Sequence, residues 1–367
     1  MQTILIILDG MQDIAYNVLG GKTPYESGRG EHFGRIEAAG RTGWLKATPP
    51  GMEADTQTCI LTLLGVQPGD IPPGRSYIEA LALGLEVGDD DIILRCNFVE
   101  VDDKGRLAVP CCSAPGEVAG ELRALVAAQP GHHVTPVGSY KSLQRIEGGR
   151  RYLDTMKTSM PHQHAMEPFL ELLPTGNELA WKLADFSKEQ LEKFRPYTVL
   201  NWGQAVKDEL PAFGGLHGGV TGGMVSKTDA PMGIAAAMGM ECPALPTATG
   251  DTDTDLAAKV RATLELAGRK DFVMLHIGGP DEATHRQNPQ EKADFIRRLD
   301  AECIGPLLDG LETGARVMVT CDHAALCETA GHTAEPVQFW LWQKGETLRG
   351  DLGTLEGTGA VEILLGR

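Results

Sequence analysis

The chain has 367 residues and a formal net charge of −17, with 42% hydrophobic residues and 5% aromatic ones. That length suits two domains, or one large domain with an insertion, around an aliphatic core. The acidic balance excludes nucleic acid as a main partner, because phosphate neutralisation needs clustered Lys and Arg. It leaves room for a phosphorylated metabolite bound by a few local cations or a metal ion.

The first predicted element is the apolar run TILIILDG (3–10). It is short, lacks a basic flank and ends in an acid, so it reads as a buried strand and not a signal peptide. GMEADTQTCILTLLG (51–65) passes from small polar residues into a helix, with Thr56 and Thr58 at the junction. A hydroxyl there is either a capping group or a metal-activated nucleophile near a helix N-terminus, and the pattern leaves both open. Residues 68–195 are rich in Gly, Pro and polar turns. They include a predicted hairpin at 91–109, turning near Asp102–Gly105, and a predicted helix at 119–129. We read 68–195 as a second domain inserted into a first one made of 1–67 and 196–367.

GGVTGGMVSKT (218–228) resembles a P-loop only superficially, since it lacks Gly before Lys227; it reads as a Gly-rich approach to a core strand. TATGDTDTD (247–255) reads as a solvated loop capping the next helix. Predicted strands at 271–279, 315–323 and 336–342 alternate with predicted helices at 254–268 and 289–311. Such alternation implies an α/β fold with a parallel sheet covered by helices. No apolar stretch reaches the roughly 20 residues of a membrane helix. The eight cysteines include no C-x-x-C and are expected to be reduced, which fits a cytoplasmic protein.

In a parallel α/β sheet, ligands bind beyond the carboxyl ends of the strands. Asp9 ends the first strand, Asp281 and His285 follow the strand at 271–279, and Asp322 and His323 follow the strand at 315–323, with His332 in the next loop. Asp281 and His285, four apart on a helical turn, share a face and can grip one ion. Each group alone is compatible with a turn or cap. Together they supply enough mixed Asp/His ligands for two ions of the Zn²⁺, Mn²⁺ or Fe²⁺ type, an arrangement that clamps phosphoryl groups.

LDGMQD, LGGKTPYE, PGMEADTQTCILTLLGVQP, GRSYIEALALG, LRCNF, LNWGQAVKDELPAF, PDEATHRQNPQEKADFIRRLD and VTCDHAALCETAGH together resemble the archaeal-type cofactor-independent phosphoglycerate mutases of the alkaline phosphatase superfamily. The resemblance spans most of the chain. It implies an alkaline-phosphatase-like sheet with helices on both faces and a smaller inserted α+β cap. It also implies two divalent ions: Mn²⁺ or Zn²⁺, with Mg²⁺ or Co²⁺ as further candidates. Asp9, Thr56, Asp322 and His323 would hold one ion, and Asp281, His285 and His332 the other. Thr56 falls on the family's nucleophilic Ser. Arg75, Arg95, Lys141 and His162 become candidates for the substrate's anionic groups, the substrate being a small phosphorylated metabolite. The implied reaction interconverts 3-phosphoglycerate and 2-phosphoglycerate. A phosphatase or phosphodiesterase, a homoserine-kinase-like enzyme and a non-catalytic metal-binding protein are the alternatives. Three departures from the family pattern stand out. Gln57 replaces an Asp, Lys141 replaces an Arg, and Met160-Pro161-His162-Gln163 replaces Pro-Pro-His-Asp. The metal set is intact where the substrate set is altered.

Overall fold

The computed structural model describes residues 2–72 and 74–367; the side chain of His162 lies outside what is described. In chain order the strands are β1 (Thr3–Leu8), β2 (Arg41–Lys46), β3 (Ile92–Val101), β4 (Leu107–Val109), β5 (His132–Val137), β6 (Lys141–Ile146), β7 (Tyr197–Ala205), β8 (Gly222–Val225), β9 (Phe272–Ile277), β10 (Arg316–Thr320), β11 (Ala324–Leu326), β12 (Gly331–Thr333), β13 (Val337–Gln343) and β14 (Asp351–Glu356). The chain divides into two compact units, Met1–Ile71 with Leu210–Arg367, and Pro72–Glu209.

The first unit is built on a seven-stranded sheet of order β14-β2-β13-β10-β1-β9-β8. Its central strands are buried on both faces; Ile4 to Leu8 of β1 are wholly inaccessible. That explains why they read as continuous aliphatic runs without alternation. β10, β1, β9 and β8 run parallel, but β13 is antiparallel to both β10 and β2. The sheet is therefore mixed, where the alternation of elements implied a parallel one. Periodicity reports burial, not strand direction. The predicted helix over 289–311 forms as Pro289–Leu299, a π turn at Asp300–Ile304 and Gly305–Gly310. Asp255 caps the helix Leu256–Ala267 by accepting from Ala258 N at 2.9 Å, as the loop at 247–255 suggested. No helix among the described residues is long and apolar enough to cross a membrane, and all eight cysteines are free.

The second unit holds an antiparallel five-stranded sheet. β3 pairs with β4, β6 and β7, and β6 pairs with β5. The β3–β4 turn is tied by Asp102, whose Oδ1 accepts from Lys104 N and Arg106 N, each at 2.9 Å. The helix Glu178–Phe194 packs Ala184 and Leu191 against Val99, Val101 and Leu200. Because β7 pairs with β3 along residues 197–205, the return to the first unit comes after Glu209, later than the sequence boundary at 196.

In the first unit, a buried ion pair braces the loop after β1. The side chains of Asp13 and Lys292 are both fully inaccessible, with Lys292 Nζ 3.0 Å from Asp13 Oδ2 and 2.8 Å from the Ala325 carbonyl. Asp13 also accepts from Tyr16 Oη at 2.7 Å and from Cys327 N at 3.3 Å. Removing one partner strands the other charge in the interior, at a cost of about 3–5 kcal/mol. Asp13→Ala should lower the urea-unfolding free energy by about that amount, and adding Lys292→Met should recover part of it.

Candidate metal centre

Sheet register brings the strand-end residues level. Ile7 aligns with Thr320 on one side and His276 on the other, so Asp9 and Asp322, each two residues further on, share one edge of the sheet. Between them the chain turns at Gly10, whose φ is +60°. A Cβ at Gly10 would lie 2.8 Å from Asp281 Oδ1, so only glycine allows this approach. The Gly10 N–H donates to Asp322 Oδ1 at 3.2 Å.

After β9, the helix Gly279–His285 carries Asp281 and His285 on one face, with His285 Nε2 3.0 Å from Asp281 Oδ2. After β10, Asp322 and His323 lead into β11, which pairs with β12 so that Ala325 faces His332. That short hairpin folds His332 back over His323, the rings stacking at 3.8 Å. His332 Nε2 lies 3.2 Å from Asp281 Oδ1. His323 Nε2 lies 3.5 Å from Asp9 Oδ1 and 3.4 Å from Asp322 Oδ2. Six of the seven residues expected as metal ligands, all but Thr56, thus form one cluster. Asp9 and Asp322 gather at one end of it and Asp281, His285 and His332 at the other, with His323 between them.

The electrostatics fit cations. Burial first, then the neighbouring Asp322 and Asp281, push Asp9 well above the usual carboxylate range. Burial also opposes the charge on Asp281, but the nearby imidazoles of His285 and His332 outweigh it and hold Asp281 well below that range. Burial depresses His323. Asp9 Oδ1, Asp281 Oδ1, Asp322 Oδ2, His323 Nε2 and His332 Nε2 are buried without a hydrogen-bond partner among the described residues. Unpaired polar atoms at this density are costly unless something positive lies among them. His332 makes the point locally. Its Nδ1 is 2.9 Å from the Ala54 carbonyl and must donate there, which leaves the Nε2 lone pair facing Asp281. Donor type, burial and orphaned atoms all suit divalent ions.

His276, near the end of β9, belongs to this cluster and was not singled out from the sequence. Its Nε2 is 3.1 Å from Asp9 Oδ2, and Asp9, His276 and Asp322 form one of two metal-competent groups; Asp281, His323 and His332 form the other. The available signal was a histidine inside an otherwise apolar strand, which also describes an ordinary core histidine.

Thr56 opens the helix Thr56–Leu63 and is buried. Asp55 caps this helix, accepting from Thr58 N at 3.1 Å and from Thr58 Oγ1 at 2.9 Å. The Thr58 hydroxyl is thereby committed to the cap. Ala54 bonds His332, and the Asp55 charge acts on His323, so this loop borders the cluster.

In the second unit, Arg75, Arg95 and Lys141 come together around one buried carboxylate, Glu79. Arg95 bonds it through two nitrogens, while Arg75 Nε and Lys141 Nζ each lie 3.5 Å away. Arg95 is itself buried and sits 4.5 Å over the Trp202 ring. His162, the fourth candidate, lies outside the described side chains.

Residues 1–365 match the model of the Metalloenzyme superfamily. The chain is 29% identical to a 2,3-bisphosphoglycerate-independent phosphoglycerate mutase of Methanothrix thermoacetophila, covering 100% of both chains. It is 30% identical to a probable 2,3-bisphosphoglycerate-independent phosphoglycerate mutase of Geobacter sulfurreducens, covering 95% of this chain and 92% of that one. Its fold is similar to that of the PH0037 protein from Pyrococcus horikoshii, with a TM-score of 0.77, 23% identity, and coverage of 100% and 96%.

The cluster predicts a metal content. Elemental analysis of dialysed, Mn²⁺-loaded protein should find two ions per chain, and Asp281→Ala should lower this to one. A ligand present at 100 times its dissociation constant stabilises the fold by about 2.7 kcal/mol, so Mn²⁺ should raise the melting temperature of EDTA-stripped wild type and raise that of the variant less.

Proposed function

The chain belongs to the Metalloenzyme superfamily and, within it, to the 2,3-bisphosphoglycerate-independent phosphoglycerate mutases, and on that premise we propose that it interconverts 3-phosphoglycerate and 2-phosphoglycerate through a phosphothreonine at Thr56. The observation that carries this reading is the convergence of Asp9, Asp322, His323, Asp281, His285 and His332 on one cluster, buried at the three aspartates and His323, partly buried at His332 and open to solvent at His285. We assign the first three, with Thr56, to one ion and the last three to the other. The mixed nitrogen and oxygen donors suit Mn²⁺ or Zn²⁺. When bound, such ions neutralise phosphate oxygens and lower the pKa of a neighbouring hydroxyl.

Thr56 Oγ1 attacks phosphorus, the bond from phosphorus to the substrate's C3 oxygen breaks, and that oxygen takes up the proton the threonine gives up. In the second half the C2 hydroxyl attacks the phosphothreonine, and Thr56 recovers its proton. Two features of the loop support Thr56 over Thr58. Thr58 is held by Asp55, and Thr56 occupies the first helical position, where free N–H groups favour an incoming anion. In the second unit we assign Arg75 and Lys141 to the substrate's anionic groups, with Arg95 bracing Glu79 between them. Lys141 offers a point charge where a bidentate fork is the family pattern, so it holds an anion with less geometric control.

The test follows 3-phosphoglycerate by ³¹P NMR with Mn²⁺-loaded protein. The 2-phosphoglycerate signal should appear without free phosphate. Thr56→Ala should lower the rate by at least about 10³-fold while still binding two ions, and Thr56→Ser should retain turnover. Release of phosphate without isomerisation would replace the mutase with a hydrolase. Lys141→Ala should raise KM by about 10-fold or more with a smaller change in kcat, read from initial rates, as expected for a group that binds substrate and transition state alike.

A further inference from the structure

We propose that the cavity in the second unit lined by the helix Glu178–Phe194 and strands β5 and β6 is a binding site for a small organic anion with an apolar, ring-sized body, its charge held by Arg151. The cavity measures about 450 Å³ and also touches the C-terminal end of the helix Gly116–Ala127. That volume falls in the range of sites for small organic molecules, about 300–1,000 Å³. The site is not the substrate cluster. Along β3, Arg95 lies opposite Leu143 and Asn97 opposite Lys141, while Leu94 lies opposite Gln144 and Cys96 opposite Asn201. Side chains alternate along a strand, so Gln144 and Asn201 stand on the face of the sheet turned away from Arg95 and Lys141.

The walls supply the apolar half of the recognition. Val126, Ile146, Leu179 and Leu183 are buried around the cavity, and Phe186 adds an aromatic ring. The polar groups in the wall are few and tied together. Gln144 and Asn201 are both buried, with Asn201 Nδ2 donating to Gln144 Oε1 at 2.6 Å. Gln144 Nε2 lies 2.7 Å from His132 Nδ1, which leaves His132 Nε2 as the ring nitrogen without a partner among the described residues. Burial first, then the neighbouring His133, lowers His132 below the usual histidine range, so the ring is uncharged at neutral pH. It can add a hydrogen bond to an occupant without adding a charge.

The sign of the ligand follows from the charged side chains that line the cavity, Glu147, Arg151 and Lys182, all exposed. Glu147 Oε1 lies 2.7 Å from His133 Nε2, and Lys182 Nζ lies 2.7 Å from Glu178. Arg151 has no carboxylate partner among the described residues. Its guanidinium instead lies 4.8 Å from the centre of the Tyr152 ring, with Nη2 donating to Tyr152 Oη at 3.1 Å. That contact uses one of the five N–H donors of a guanidinium and leaves the others for a carboxylate or sulfonate, which such a group grips through parallel bonds. Apolar walls, one uncharged imidazole and a guanidinium without a carboxylate together match an amphipathic anion.

The experiment uses 8-anilinonaphthalene-1-sulfonate, which fluoresces on leaving water, and N-phenyl-1-naphthylamine, which has the same rings without the sulfonate. Both are titrated into wild type, Arg151→Gln, Lys182→Gln and Leu183→Phe, with melting temperatures to check that each variant is folded. The readout needs neither metal nor turnover, so its failure is separate from any failure of the mutase reading. Wild type should bind one sulfonate probe per chain, about 10-fold or more tighter than the neutral probe. Arg151→Gln should abolish that preference by weakening the sulfonate probe alone. Lys182→Gln, whose lysine is already paired, should change neither affinity by more than about 2-fold. Leu183→Phe should weaken both probes by filling the space, and saturating 3-phosphoglycerate should displace neither. Equal affinity for the two probes in wild type, a preference that survives in Arg151→Gln, or displacement by 3-phosphoglycerate would overturn the proposal. So would unchanged binding in folded Leu183→Phe, or several equivalents of similar strength, which would mean adsorption to exposed apolar surface. If Leu183→Phe does not fold, the Arg151→Gln comparison decides alone.

Discussion

Three aspartates whose carboxylates sit together in the interior are the constraint on which the rest of this structure depends. Asp9, Asp281 and Asp322 are each less than a tenth exposed and lie at one edge of the first unit's sheet. Isolated anions in such surroundings would cost far more than a fold can supply, so they neutralise or are matched by positive charge. Among the described residues, no lysine or arginine supplies the match. Lys292, the buried lysine beside this region, is spent on Asp13. What surrounds the three carboxylates instead is imidazole, a ligand for soft and borderline metal ions that adds no fixed charge. Divalent ions are the remaining way to satisfy both the acids and the histidines.

Much of the first unit can be read as the means of holding that cluster. Parallel pairing of β1 with β9 and β10 levels the three strand ends. Gly10 lets the backbone pass beside Asp281 where a side chain would collide. The β11–β12 hairpin returns His332 to His323. The Asp13–Lys292 pair ties the loop after β1 to the segment that follows Asp322 and His323, through the Ala325 carbonyl and the Cys327 N–H. Each device acts on the backbone near a ligand and not on the ion, which is how a scaffold fixes geometry before anything binds.

The legibility of the site in the sequence follows the same physics. Asp9, Asp322 and His323 stood out because polar residues terminated aliphatic runs, and Asp281 with His285 because a four-residue spacing shares a helical face. His276 did not stand out, since a single histidine within a buried strand has the same sequence signature whether it orients a ligand or fills space. Arg95 was read as a candidate for the substrate. The structure buries it against Glu79 and Trp202, partners separated from it by 16 and 107 residues, and no local pattern encodes such pairings. The antiparallel course of β13 and the pairing of β7 with β3 were hidden for a related reason. Direction and partner are long-range properties, whereas hydrophobic periodicity is local. The residue pattern left Thr56 and Thr58 open and the family resemblance favoured Thr56; in the structure the Thr58 hydroxyl donates to Asp55.

The most direct measurement is anomalous diffraction at the manganese edge from crystals of Mn²⁺-loaded protein. The account predicts two peaks within the cluster, one contacted by Asp9, Asp322 and His323 and the other by Asp281, His285 and His332. A single peak, or peaks away from these side chains, would contradict it.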